Sequence, residues 1–217
     1  MAISAEDVKN LREMTGAGMM DCKKALMETG GDINKAVEWL RERGIAKAAK
    51  RSGRIAAEGA VASYIHMGGK IGVLVEVNCE TDFVARGEAF QALVKDICLQ
   101  IASSSPLCVR REELSPEAID AEKKIYVAQA KETGKPENIC VKIAEGKLSK
   151  WYNEVCLMEQ AFVKDPDKTI TDLINEVSGK TGEKIEVRRF VRYQLGEGIE
   201  KKQSNLAEEV AAELAKH

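Results

Sequence analysis

Asn78-Cys79-Glu80-Thr81-Asp82-Phe83-Val84 is the joint between two segments of opposite character. Ahead of it, 71–77 alternates so that Ile71, Val73, Val75 and Val77 share one face, with Gly72, Leu74 and Glu76 on the other. That is the period of a strand. Behind it, 88–102 places Phe90, Leu93, Val94, Ile97 and Ile101 at intervals of three and four, the period of a buried helix face. Thr81 and Asp82 can cap a helix by accepting backbone N–H bonds. Capping does not require the phenyl ring of Phe83 or the isopropyl of Val84 beside them. Two readings stand. Phe83 folds back into its own core, or it is an apolar wedge held out on a rigid corner for another molecule.

Working back from the corner, 60–66 is a second β-rich run. Met67-Gly68-Gly69-Lys70 separates it from 71–79, and paired glycines between apolar runs predict a hairpin. A third run, 184–195, is read with Ile185, Val187, Val191, Tyr193 and Leu195 on one face, ended by Gly196-Glu197-Gly198. Helices are predicted from the cap Ser115-Pro116-Glu117 to about residue 132 and from Pro136 to about residue 155. A further helix starts at the capping box Thr169-Ile170-Thr171-Asp172. Residues 162–167 read as a loop, and Ser204 caps a final amphipathic helix over 205–216.

The first 44 residues form a separate pattern. Ser4 with Asp7 makes a capping box, and Val8 and Leu11 mark the buried side of a first helix. Thr15-Gly16-Ala17-Gly18 breaks it. A second helix covers 20–28, and Asp32 caps a third that Gly44 closes. Three short helices with glycine turns suit a bundle of the ubiquitin-associated kind, with a core of only a few side chains. The Ala- and Lys-rich stretch 45–58 reads as a basic helical linker. The expected organisation is a docking domain at 1–44, the linker at 45–58, a core domain at 59–198 and a C-terminal helix at 199–217. The fold class is α+β, a three-stranded antiparallel sheet with helices packed on one face.

Composition narrows the chemistry. The chain has 217 residues and a net charge of -2, so nothing draws it as a whole to nucleic acid. No apolar run approaches the roughly 20 residues of a membrane span. The acidic N-terminus carries no apolar signal core, which places the protein in the cytoplasm. The six cysteines form no Cys-x-x-Cys pair and sit mostly among apolar residues, as free thiols of a core do. With two histidines, neither placed beside a nucleophile, no catalytic set, metal site or cofactor is expected. No phosphate-binding glycine motif is present, so the chain is not expected to bind nucleotide itself.

Four stretches together resemble the elongation factor Ts family. They are Leu11-Arg12-Glu13-Met14-Thr15-Gly16-Ala17-Gly18-Met19-Met20 with the residues to Leu26, Glu76 through Ala85, Gly134-Lys135-Pro136, and Phe190 through Gly198. The resemblance implies a guanine-nucleotide exchange factor, not an enzyme in the usual sense, that binds elongation factor Tu in its GDP-bound and nucleotide-free forms. It implies partner docking through Leu11, Arg12, Thr15, Gly16, Met19 and Met20. It further implies that Thr81, Asp82, Phe83 and Val84 dislodge Mg²⁺ from the GTPase, with the sheet and last helix bracing the contact. The single hairpin and closing strand are similar to the short form of the family, in which the sheet core occurs once, and imply a homodimer. Cys79, Cys98 and Cys108 stand as possible intersubunit ties, with free buried thiols preferred. A ubiquitin-associated-like adaptor and a ribosome-binding factor without exchange activity are the rival readings.

Overall fold

A computed structural model describes residues 3–199 of the chain. The predicted C-terminal helix at 205–216 lies outside the described residues. Three helices open the fold: α1 (Ala5–Thr15), α2 (Met19–Glu28) and α3 (Ile33–Arg51). Ser4 and Asp7 complete the expected capping box, and Gly16 ends α1 at φ 65. Val8, Leu11, Cys22, Ala25, Leu26 and Ala36 make the small core of this bundle.

The predicted stop at Gly44 is corrected: α3 continues to Arg51. One glycine within a helix costs only about 1 kcal/mol, and the flanking Arg, Glu, Ala and Lys residues are good helix formers. The far end is also tied down. Lys47 Nζ lies 2.9 Å from Asp21 of α2, and Arg51 donates to the carbonyl of Ser178 at 3.2 Å.

The sheet has the order β1 (Glu58–His66), β2 (Ile71–Cys79), β5 (Glu186–Gln194), all antiparallel. The β1–β2 turn uses three successive left-handed residues, Met67, Gly68 and Gly69. Behind one face lie α4 (Asp82–Arg86), α5 (Glu88–Ser104) and α8 (Ile170–Thr181). Val73, Val75, Val77 and Val187 from the sheet meet Phe90, Leu93, Val94 and Ile97 of α5 and Ile174 and Val177 of α8. The fold is α+β, with the core on one side of the sheet, as the alternation in 71–77 predicts.

Two further corrections and one addition concern the second half of the chain. Residues 162–167 are not a plain loop, because β3 (Ala161–Phe162) and β4 (Asp165–Thr169) pair as a small hairpin. The helices α6 (Pro116–Lys131) and α7 (Glu137–Val155) pack mainly on each other as a two-helix arm. Ala130, Cys140 and Ala144 are their buried residues. Finally, β5 does not keep one apolar face. The β2–β5 register shifts so that Glu76 pairs with Arg189 and Val77 with Val187, leaving Arg188 as a bulge. An extra residue inverts the alternation beyond it. Ile185 and Val187 point into the core, whereas Val191, Tyr193 and Leu195 are exposed. Glu76 holds the bulge, accepting from Arg188 Nη1 at 2.8 Å and Arg189 Nε at 2.7 Å.

Candidate functional site

Strand β2 delivers the chain to the corner at Cys79, which is fully buried and donates its thiol to the carbonyl of Thr81 at 3.2 Å. Thr81 is the N-cap of α4, its hydroxyl accepting from the backbone N–H of Val84 at 3.3 Å. Asp82 does not cap. Its carboxylate lies 2.6 Å from Arg86, one turn on. The five-residue α4 ends at Gly87, whose extended backbone begins α5 in a new direction. A Cβ on Gly87 would stand 3.1 Å from the carbonyl oxygen of Val84, so the joint is close-packed.

This geometry separates neighbouring side chains. Val84 and Ala85 turn inward into the main core. Phe83 turns outward and is 84% exposed. The first of the two readings of Phe83, burial in its own fold, is therefore excluded. An exposed phenyl ring anchored by two buried neighbours is an apolar group held in place with nothing among the described residues burying it.

Two glutamates that sequence reading passed over hold the corner. Glu183, in the turn between α8 and β5, accepts from the backbone N–H of Glu80 at 3.1 Å and of Thr81 at 3.0 Å. Its other oxygen accepts from the Thr81 hydroxyl at 2.6 Å. In return, Glu80 accepts from the backbone N–H of Lys184 at 2.6 Å and from Arg54 at 3.3 Å. The N–H of Lys184 holds the Glu80 carboxyl below the usual carboxylate range, against the opposing effect of burial and with help from Arg54. The two segments thus clasp each other through reciprocal carboxylate-to-backbone bonds. No local pattern announces this, because the partners are more than a hundred residues apart.

The predicted docking residues divide. Arg12, Gly16, Met19 and Met20 are exposed, and Thr15 is half-buried, its hydroxyl donating to the Leu11 carbonyl at 2.7 Å. Leu11 is corrected: at 0% exposure it lies in the bundle core and offers no surface to a partner. Met14, not singled out from the sequence, is exposed beside the others.

Lys180, near the end of α8, joins the two clusters. Its Cε would lie 2.3 Å from a Cβ placed on Gly16, so the lysine stem passes directly over the α1–α2 turn. It also lines the open hollow of about 570 Å³ that contains Asp82, Phe83, Val84 and Arg86. A second cleft, of about 410 Å³ between the bundle and α8, includes Thr15, Gly18, Asp21, Arg41 and again Lys180. Among the described residues Lys180 enters no ion pair. The α1–α2 turn and the corner around Phe83 are therefore neighbours on one side of the molecule, an arrangement that the spacing of 60 or more residues conceals.

The arrangement suits docking. It presents an aromatic ring, three methionines and the cation of Lys180 on helices fixed by hydrogen bonds. Burial pushes up the Cys79 thiol, with Glu183 nearby adding to the shift, so this sulfur is not an activated nucleophile. Among the described residues, no three His, Cys, Asp or Glu side chains are grouped to hold a metal ion, and no helix is long and apolar enough to cross a membrane.

Comparison with known proteins places this surface in context. The family described as Elongation factor TS matches residues 3–197. Elongation factor Ts of Desulforamulus reducens is 63% identical over 212 residues, spanning 98% of this chain and 98% of that protein. Elongation factor Ts of Geobacter sulfurreducens is 62% identical over 212 residues, with the same coverage of 98% and 98%. That of Anaeromyxobacter sp. (strain K) is 64% identical over 209 residues, spanning 96% of this chain and 95% of the relative.

Proposed function

The chain belongs to the elongation factor Ts family, and from that premise we propose that it is a cytoplasmic guanine-nucleotide exchange factor for elongation factor Tu, with Phe83 as its wedge. The observation that carries this reading is the 84% exposed ring of Phe83 on a corner locked by Glu183 and anchored by Val84 and Ala85. In the proposed sequence, the bundle docks on the G domain of GDP-bound elongation factor Tu through Arg12, Thr15, Gly16, Met19 and Met20. Thr81, Asp82 and Phe83 then meet the elements that hold Mg²⁺ and the β-phosphate, while Val84, expected from the sequence to join them, is buried and anchors the corner from inside. Insertion of Phe83 displaces those elements, Mg²⁺ and phosphate contacts are disturbed, and GDP leaves. GTP then enters the empty site and displaces the factor.

Magnitudes divide the work between the parts. Burying one Phe contributes about 1.5–3 kcal/mol. Each tenfold loss of nucleotide affinity requires about 1.4 kcal/mol of preference for the empty GTPase. A single ring therefore accounts for about one to two factors of ten, and the docking surfaces supply the rest. Coupling is reciprocal, so bound nucleotide weakens the factor in the same ratio.

The outer face of the sheet supports a homodimer. Val61 and Ile65 of β1, Leu74 of β2, and Val191 and Tyr193 of β5 are exposed on the face opposite α5. An antiparallel sheet that faces water is ordinarily polar on that side. A second copy, presenting the same apolar face about a two-fold axis, covers both at once. Light scattering is expected to report a dimer that Leu74→Glu converts to a monomer. A wild-type monomer that remains active at low concentration contradicts this part.

The exchange role is tested by release of fluorescently labelled GDP from elongation factor Tu in a stopped-flow instrument. Acceleration in proportion to added protein is the expected result. Release at the spontaneous rate, with the protein folded, overturns the reading and leaves an adaptor or ribosome-binding role.

A further inference from the structure

Cys108 and Cys156 are 48 residues apart and meet in the interior, with their Sγ atoms separated by 3.6 Å and the Cys108 thiol donating to Cys156. The contact is fixed by the backbone. The two residues stand side by side in an isolated parallel bridge. Around it, Leu107 N–H donates to Val155 O at 2.8 Å, Leu157 N–H to Cys108 O at 3.0 Å, and Met158 N–H to Val109 O at 3.1 Å. Neighbouring strands lie about 4.8 Å apart, inside the Cα separation of about 4.4–6.8 Å that disulfides adopt. The other cysteines differ. Cys22, Cys79 and Cys140 direct their thiols to backbone oxygens, as Cys108 also does toward Val155 O at 3.9 Å, but among the described residues only Cys108 and Cys156 meet a second sulfur.

We propose that Cys108 and Cys156 form an oxidisable dithiol, which a hydroperoxide converts to an intramolecular disulfide that pins the root of the α6–α7 arm. Cys108 keeps 7% of its surface and Cys156 keeps none, so the peroxide meets Cys108 first. In the first step the Cys108 sulfur takes one peroxide oxygen, giving a sulfenic acid and one water from hydrogen peroxide. In the second, the Cys156 sulfur attacks the Cys108 sulfur. The S–S bond forms, the S–O bond breaks, and the hydroxyl leaves with the Cys156 proton as a second water. Two thiols thus lose two electrons and two hydrogens, and the O–O bond is reduced.

The environment sets the tempo. Burial pushes both thiols up, Cys156 to about 12 with the Cys108 contact adding to the shift. Both sulfurs are therefore protonated at neutral pH and react slowly. The same burial shields the finished bond from reductant. The pair is suited to a lasting lock formed under sustained oxidation, in contrast to the exposed low-pKa thiol of a rapid sensor. The loop it closes contains the turn Arg111–Glu113, α6 and α7. The arm's two connections to the body would then be joined covalently. Pairing within the chain also removes Cys108 as an intersubunit tie. The inference does not depend on the exchange reading, because the corner around Phe83 lies outside this loop.

The test uses the full-length wild-type protein, reduced, then treated with hydrogen peroxide, denatured, alkylated with N-ethylmaleimide and digested for mass spectrometry. The expected product is a peptide pair joining Cys108 to Cys156, lighter by two hydrogens and separated by reductant, while Cys98 is alkylated in full. Amide hydrogen exchange at Leu107, Leu157 and Met158 is expected to slow about tenfold in the oxidised protein. Alkylation of both Cys108 and Cys156, over-oxidation of Cys108 with Cys156 alkylated, or a Cys108 bond to a second copy would each overturn the proposal.

Discussion

Replacing Glu183 by alanine removes the acceptor that orders the corner while leaving Phe83 in place. The carboxylate takes three hydrogen bonds, from Glu80 N–H, Thr81 N–H and the Thr81 hydroxyl, at 3.1, 3.0 and 2.6 Å. Bonds to a buried charge are worth about 1.5–3 kcal/mol each, but neutral, partly exposed ones contribute about 1 kcal/mol net. Thr81 is exposed and Glu183 half-buried, so water replaces part of each bond, and the total loss is about 2–3 kcal/mol. If that loss leaves the disordered corner favoured by about 1.3 kcal/mol, about one molecule in ten remains competent to insert Phe83. Exchange measured below saturation should fall by the same factor, with far-UV circular dichroism unchanged. Glu183→Gln keeps one carbonyl acceptor and should fall between the two. Amide exchange at Glu80 and Thr81 supplies the independent readout, rising in Glu183→Ala. Wild-type nucleotide exchange together with wild-type protection of these amides would refute the reasoning.

Other outcomes follow from the same structure. Gly59 has φ 139, and a Cβ there would lie 2.1 Å from the carbonyl oxygen of Val77; Gly59→Ala should lower stability by about 2–4 kcal/mol in urea unfolding, through β1 and not through the corner. Arg188 and then Arg189, against the opposing effect of burial, hold the Glu76 carboxyl below the usual carboxylate range, as the N–H of Lys184 does for Glu80. A depressed folded-state pKa gives stability that is present above the unfolded value and lost as pH falls through the folded one. Thermal melts should therefore weaken below about pH 4, and Glu76→Gln should flatten that slope. Lys180 has no acidic partner among the described residues and lies between the two clusters. Lys180→Glu should slow association with elongation factor Tu several-fold, the difference shrinking at high salt.

Much of the fold was legible because it rests on local signals. The capping boxes at Ser4 and Thr169, the glycine pair at 68–69 and the alternation of 71–77 each act within a few residues, and each appears as read. What escaped depends on distant partners. The face of Val191 and Tyr193 is set by one carboxylate, Glu76, gathering two arginines on another strand. The passage of α3 through Gly44 is reinforced by Asp21 and Ser178. The strand-to-helix corner at Thr81 is legible from its cap and the change of period, yet the group that holds it, Glu183, carries no local mark. Leu11 was assigned to docking along with the motif that contains it, although its helical spacing with Val8 already placed it in the bundle core. Asp82, read as capping its helix or contacting a partner, leaves the cap to Thr81 and pairs with Arg86 one turn on.

The central claim is that Phe83 is presented to a partner and is not part of its own core. It is tested most directly with Phe83→Ala, followed by stopped-flow GDP release from elongation factor Tu beside thermal melting of the free protein. The ring is 84% exposed, so melting should move by no more than about 0.5 kcal/mol, as for other surface changes. Acceleration of GDP release should fall by about tenfold or more, following the roughly 1.5–3 kcal/mol of the lost burial. A destabilised variant that exchanges nucleotide normally per folded molecule would contradict the account.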